Sequence, residues 1–298
     1  MSCFPRRWSF PITYSGSLAE RITSALDSLS PKHKRMARFI LDNRYFTSFA
    51  SASQVGEKND TSAATVVRFA QALGYDGYPK LQDALRAELP SYMTAVNRMQ
   101  ARISSEKAPA SSPQQVFYTD IQNIERTASN LSEDNLNGAL QIILKAQRIQ
   151  VIGAGLSNAA SLFLAHSLKV MGFDAQAVDG EGLQTAIELS RLKPGDLLIA
   201  IDLWRYVRMT VNAVGMAKER GISTIAITDS IVSPLAQIAD HAFEIATESV
   251  AHSLSVTALV SLLNVFIALL ADRVPQQVVE SLRRVDEAYR SNDLLIMK

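Results

Sequence analysis

Two segments of this chain carry residues whose types and spacing suit chemistry. Gly153-Ala154-Gly155-Leu156-Ser157 follows the apolar run Ile149–Ile152 and opens a stretch of helical period. A glycine turn between a strand and a helix lets backbone approach a ligand. The helix start adds free N–H groups and a positive dipole end, a combination that suits a small anion. Gly155, Ser157 and Asn158 are the candidate contacts. A dinucleotide-binding turn wants a third glycine where this chain has Asn158, and no acidic residue ends the second strand persuasively, although Asp179 comes close. No nucleotide cofactor is expected.

The other segment is Ser62-Ala63-Ala64-Thr65, with Arg68 one turn further, after the turn Asn59-Asp60-Thr61. On the leading end of a second helix, such residues fit the major groove of double-stranded DNA. Ser62 and Thr65 can bond base edges or phosphates. Ala63 and Ala64 permit close approach or touch a thymine methyl, and Arg68 can meet guanine or backbone. Lys32, Arg35 and Arg44 would serve phosphates and set affinity, not sequence preference. A small helical oligomerisation domain with a merely solvated basic face is the alternative.

These segments need elements to position them, and 298 residues with 47% apolar content are enough for two domains, each with its own core. Residues 17–90 read as all-helical. Ser30-Pro31 starts a helix bearing a Met36, Phe39, Ile40, Tyr45 stripe; further helices are expected over Ala52–Lys58, from Ser62 to Leu73, and after Pro79. Residues 91–114 read as a linker, with the hinge in the small, proline-containing stretch 104–114. From 115 to 290, short apolar strands alternate with helices. Strands are expected at Ile149–Ile152, Ala175–Val178, Leu197–Ile201, Thr224–Ile227 and Ala242–Ile245, with helices around 157–171, 182–192, 206–220 and 234–239. Helices at 115–129 and 132–147 before them, and 253–272 after, complete the pattern. The fold class is an all-α helix-turn-helix domain followed by an α/β three-layer sandwich with a five-stranded parallel sheet.

Charge and cysteine usage narrow the partners. The net charge is +1, yet residues 1–90 hold 12 Lys/Arg against 8 Asp/Glu (+4) and the remainder 18 against 21 (−3). That direction favours a nucleic-acid module at the N-terminal side. The one cysteine, Cys3, excludes a disulfide framework and a cysteine-based metal site, and no metal is expected. Residues 1–16 lack the apolar run of a secretory signal. The longest apolar stretch, Val256 to Ala271, is broken by Ser261 and Asn264 and falls short of the roughly 20 residues of a membrane span. A buried helix, no membrane and a cytoplasmic location are expected.

Thr65-Val66-Val67-Arg68-Phe69, Leu73-Gly74-Tyr75 and Gly77-Tyr78 resemble the N-terminal domain of the RpiR family of bacterial transcriptional regulators. The resemblance departs at the turn, where the family usually has glycine and a β-branched apolar residue and this chain has Asp60-Thr61. Residues 115–285 resemble the sugar isomerase (SIS) domain that usually accompanies it. The matching motifs are Gly153–Ser157, Lys193-Pro194-Gly195-Asp196, Ala226-Ile227-Thr228-Asp229-Ser230 and Ser233-Pro234-Leu235-Ala236. The resemblance implies an operator-binding regulator, a homodimer or homotetramer, responding to a sugar phosphate or related effector held at the C-terminal ends of the strands.

One departure bears on the effector. After the third strand, SIS domains typically present a serine-rich phosphate loop, whereas this chain has Ile201-Asp202-Leu203-Trp204-Arg205-Tyr206. A carboxylate repels phosphate unless a cation intervenes, which Arg205 and Arg208 could supply. Three readings stay open: a phosphosugar held by arginine, an unphosphorylated polyol or amine met by Asp202, or a vestigial pocket. Ser249 and His252, with Ser253 and Ser255, form a second polar cluster that could reach the effector, though Ser253 could equally be a helix cap. Asp179, Gly180 and Glu181 read as an ordinary turn that could line the same pocket, and His166 as a core or interface histidine. An isomerase needs a general base near the sugar carbons. Glu181, Glu248 and His252 are candidates, but none sits in a diagnostic motif and no catalysis is expected.

Overall fold

The computed structural model describes residues 18–25, 29–88, 95–104, 112–179, 182–231, 233–294 and 296. The chain forms two compact units divided between Met93 and Thr94. Residues 1–16, Ser17 and most of the expected 104–114 hinge lie outside the described residues, as do Gly180 and Glu181.

The first unit holds α1 (Leu18–Ala25), α2 (Pro31–Asp42), α3 (Arg44–Phe49), α4 (Ala52–Lys58), α5 (Ala63–Ala72) and α6 (Tyr78–Glu88). Hydroxyl caps set three helix starts: Ser30 accepts from the His33 N–H, Ser51 from Gln54 and Ser62 from Thr65. At α4 the Gln54 side chain returns the bond to the Ser51 N–H at 2.7 Å, a full capping box. The single helix expected to carry Met36 through Tyr45 is instead two. The Asn43 side-chain amide turns back onto the Phe39 carbonyl at 2.9 Å and ends α2.

Helix α6 then satisfies the carbonyls at the end of α3. The Tyr78 hydroxyl is shared between the carbonyls of Thr47 and Ala50, at 2.9 Å each. Gln82 donates its Nε2 hydrogens to the same two oxygens, and Arg86 Nε donates to Ser48 at 2.8 Å. Burial drives the Tyr78 phenol far above its ordinary range, so it stays a donor. Met36, Ile40, Val55, Val66, Phe69, Leu81 and Leu85 close the core around this joint.

The second unit contains α7 (Ala95–Ser104), α8 (Pro113–Ser129), α9 (Glu133–Lys145), β1 (Ile149–Gly153), α10 (Leu156–Val170), β2 (Ala175–Asp179), α11 (Gly182–Ser190), β3 (Leu197–Ile201), α12 (Arg208–Glu219), β4 (Ser223–Thr228), β5 (His241–Glu244), α13 (Thr257–Arg273) and α14 (Pro275–Ser291). All five strands are parallel, in the order β2-β1-β3-β4-β5. Every residue of β1 and β3 is buried, as expected of a sheet covered on both faces. Alternation sorts the side chains: Val151, Ile199 and Ile227 pack with Leu140, Leu164 and Phe266, while Ile152, Leu198 and Ala226 meet Leu189, Val214 and Leu235.

Several expectations are corrected. Residues 234–239 form turns rather than a helix, because Pro234 and the mixed three- and four-residue bonds onto Ser233 and Leu235 never settle into one ladder. The helix expected over 253–272 begins at Thr257, and α14 was not expected. Helix α7 occupies part of the stretch read as linker. Among the described residues, no single helix is long and apolar enough to cross a membrane.

At Gly56, a Cβ would stand 2.7 Å from the Thr61 carbonyl oxygen, so α4 meets the following turn with no room for a methyl group. Gly56→Ala should destabilise the first unit by about 1–3 kcal/mol in urea unfolding. Gly215→Ala, where an added Cβ meets nothing within 4 Å, should be neutral or stabilising. Equal effects at the two positions would contradict the packing described.

Candidate functional site

The turn between α4 and α5 brings the DNA-reading candidates onto one helix end. The amides of Asn59 and Thr61 donate to the Gly56 carbonyl at 3.0 and 2.9 Å, and Asp60 holds φ +52°. A left-handed residue is needed there, and aspartate is among the few non-glycine types that tolerate it. Val66, Phe69 and Ala70 face the core, which leaves Ser62, Ala64 and Arg68 exposed and Ala63 and Thr65 half-buried. The two hydroxyls are already engaged, since Ser62 and Thr65 bond each other at 3.0 Å. Lys32 and Arg35 are exposed on α2. Arg44, expected to serve phosphates, pairs with Glu88 of α6 at 3.5 Å, and Glu88 also accepts from the Leu18 N–H. Its guanidinium ties α3 to α6 and to the start of α1.

The ligand candidates gather at the C-terminal edge of the sheet. β1 and β3 pair with Gly153 opposite Ile201, so the loops that leave them run side by side. At Gly153 a Cβ would meet Ser161 Oγ at 2.5 Å and the Ser157 carbonyl at 2.7 Å, so glycine lets α10 press onto β1. Gly155 is exposed at φ +55°, a geometry suited to glycine, and no side chain caps α10. Ser157 is buried and Asn158 half-buried.

Asp202 is 2% exposed, and its Oδ2 accepts the Val207 N–H at 2.7 Å, just ahead of α12. Burial pushes its carboxyl up from 3.8 to about 7, aided by the charge of Asp229 and opposed by hydrogen bonds from the Val207 amide, the Thr210 hydroxyl and the Leu203 amide. Asp229 in turn accepts the Tyr206 hydroxyl at 3.0 Å. Arg205 and Arg208 are exposed. Asp202, expected to meet the ligand, has its carboxylate turned inward onto backbone.

The segment after β5 is clasped by one face of α8. Asp120 accepts from the hydroxyls of Ser255 and Thr257 at 2.6 and 2.9 Å. Asn123 bonds both the carbonyl and the N–H of Glu248 at 2.8 and 3.2 Å, and Thr127 accepts from Ala246 at 2.9 Å. These three side chains share one helix face by spacing. Arg98 of α7 donates Nε to the His252 carbonyl at 2.7 Å, and the charge of Arg205 acts on that guanidinium. The His252 ring is exposed, whereas Ser249 accepts the Ala251 N–H at 3.0 Å in a local turn. Ser253 is not the cap of α13; Ser255 accepts the Thr257 N–H instead. His166 is exposed on α10 and not in the core. Among the described residues, no cluster of three His, Cys, Asp or Glu could hold a metal ion.

Comparison with known proteins agrees with this two-part layout. The model of the rpiR-family helix-turn-helix domain matches residues 16–91, and that of the SIS domain matches residues 142–271. The crystal structure of the sugar isomerase domain of an RpiR transcription factor from Sphaerobacter thermophilus is 40% identical. The match covers 59% of this chain and 98% of that one, with a TM-score of 0.58. The chain belongs to the RpiR family of transcriptional regulators. As an RpiR-family regulator it is also 26% identical over 222 residues to the regulator HexR of Pseudomonas aeruginosa, covering 74% of this chain and 76% of the relative. The Vibrio vulnificus NanR protein, solved in complex with ManNAc-6P, shares the fold: TM-score 0.64, 24% identity, 94% of this chain and all of that one.

Within this RpiR-family chain, sequence reasoning missed Arg98, Asp120 and Asn123, which organise the loop carrying His252. Asp120 and Asn123 lie at i, i+3 on a mostly exposed helix, but their partners, the hydroxyls of Ser255 and Thr257 and the backbone of Glu248, are more than 120 residues away and leave no local signal.

The raised pKa of Asp202 has a stability consequence. Its folded value near 7 lies above the ordinary 3.8, so the folded state holds the proton more tightly than the unfolded one. Stability from this group is then full below about pH 4 and is lost as pH rises towards 7. Asp202→Asn should raise the melting temperature at pH 8 and raise it less, or not at all, at pH 4.5. An equal gain at both pH values would contradict the burial account.

Proposed function

We propose that this RpiR-family regulator binds operator DNA through the head of α5 and tunes that binding to a small sugar-derived effector in its SIS domain. The observation that carries the DNA reading is the exposed run Ser62, Ala64 and Arg68 on a helix whose opposite face, Val66, Phe69 and Ala70, is locked in the core. Arg68 is the base-reading candidate, with Ala63 and Thr65 beside it. Lys32 and Arg35 supply phosphate contacts, and Arg44 contributes to the fold of the unit more than to DNA.

Effector binding is assigned to the sheet edge formed by Gly155, Ser157, Asn158, Arg205 and the His252 loop. What supports it is the uncapped head of α10 beside the loop after β3, where a parallel sheet places its ligands. The complex of the V. vulnificus fold relative with ManNAc-6P points the same way. We assign residues 17–90 to DNA binding, 91–114 to the connection and 115–290 to effector binding. The regulator works in the cytoplasm as a homodimer or homotetramer, since two helix-turn-helix units match two half-sites. It senses its sugar and does not convert it. Catalytic turnover of a sugar phosphate that is lost in His252→Ala would contradict this.

The test is fluorescence anisotropy of the full chain on the promoter beside its own gene. Arg68→Ala should weaken operator binding by about 1–3 kcal/mol and narrow the gap to unrelated DNA. Lys32→Ala or Arg35→Ala should weaken all sequences and lower the salt slope by about 1. Arg44→Ala should leave the salt slope unchanged. Binding with neither sequence preference nor salt dependence would sink the proposal.

A further inference from the structure

Helix α7 is the first element of the second unit, and residues 89–94 join it to the end of α6 in the unit assigned to DNA binding. It buries little apolar surface: Val96 is 63% exposed and Met99, one turn further, is 45% exposed. A helix with so few buried apolar contacts belongs to the easily moved part of a fold. It is tied to the rest of its unit through charge, with Arg98 Nε donating to the His252 carbonyl at 2.7 Å. The surroundings of that tie are fixed. Asp120 and Asn123 of α8 hold the segment around His252 through Ser255, Thr257 and Glu248. Arg205 stands in a loop closed by the Asp202–Val207 bond at 2.7 Å and pinned by Tyr206 on Asp229 at 3.0 Å. The charges of Arg205 and Glu248 both act on the Arg98 guanidinium, the first repelling it and the second attracting it. Arg205 is itself exposed at the edge assigned to the effector. Its repulsion of Arg98 works against the tie, and falls away once an anion neutralises Arg205.

We propose that Arg98 couples the effector edge to the helix-turn-helix unit: its bond to the His252 loop latches α7, and the charge at Arg205 sets how firmly the latch closes. The inference rests on the reading of this edge as the effector site. An anionic group that meets Arg205 removes the repulsion and tightens the latch. Helix α7 then passes its position along the chain to the unit that precedes it. A latched α7 gives that unit a fixed starting point, so less freedom is lost when two units settle on two half-sites. Arg98 acts as a positioning residue, through α7, and not as a contact to DNA.

The experiment is a double-mutant cycle in the full chain, read by hydrogen–deuterium exchange of the α7 amides and by operator affinity at fixed salt. Arg98→Ala should speed exchange in α7 and weaken operator binding at least about threefold, with the salt slope of a non-contact. Arg205→Gln stands in for the neutralised edge. In the wild-type background it should slow α7 exchange and tighten operator binding by about two- to threefold. In the Arg98→Ala background it should change neither. Equal effects of Arg205→Gln in the two backgrounds, zero included, overturn the proposal, as does unchanged α7 exchange in Arg98→Ala. Should Arg98→Ala fail to fold, Arg98→Gln, of similar reach and no charge, takes its place with the same outcomes. A second arm titrates neutral hexoses and hexitols, and their 6-phosphates, against both proteins. A compound that shifts operator binding by wild type should shift that by Arg98→Ala far less, and an equal shift overturns the coupling. If no compound shifts wild type, the effector reading of this edge fails, while the cycle still decides the latch.

Discussion

How each helix head at the C-terminal edge of the sheet is satisfied decides what that edge can hold. Strands β1 and β3 end in register, and each is followed by a helix whose first N–H groups have no partner of their own. Those groups must meet water, a side chain or a ligand. Gly155 gives the head of α10 no capping side chain, whereas Asp202 accepts the Val207 N–H just ahead of α12. Much else at this edge serves to keep those heads in place: Gly153 lets α10 press onto β1, and α8 fixes the segment after β5 through Asp120, Asn123 and Thr127.

The first unit obeys a related constraint with backbone carbonyls in place of amides. The short α3 ends in carbonyls that Tyr78, Gln82 and Arg86 collect, and this fixes α6 against it. Helix α5 is held at its other end by the tight Gly56–Thr61 turn. With both anchors in place, the exposed face of α5 has little freedom, as a surface that reads a rigid duplex requires.

Much of this was legible in the sequence because it is local. The caps at Ser30 and Ser62 and the alternation of apolar strands with helices depend on residues within a few positions of one another. They set the two-part architecture and the five-stranded parallel sheet. The turn at Asp60 was also readable, from the tolerance of aspartate for left-handed geometry. What escaped was long-range pairing. Nothing near Arg44 in the chain announces its pairing with Glu88, and the type of Asp202 was readable but its inward direction was not. The break at Asn43 and the late start of α13 at Thr257 came from side chains competing for backbone bonds, which apolar periodicity does not register.

The central claim is an operator-binding regulator whose DNA affinity answers to a small sugar-derived effector in its SIS domain. Its most direct test is the operator affinity of the full wild-type chain, measured by anisotropy at fixed salt in the presence of neutral hexoses and hexitols and, separately, their 6-phosphates. At least one of these compounds should change that affinity several-fold. No change in operator affinity with any of them would contradict the account.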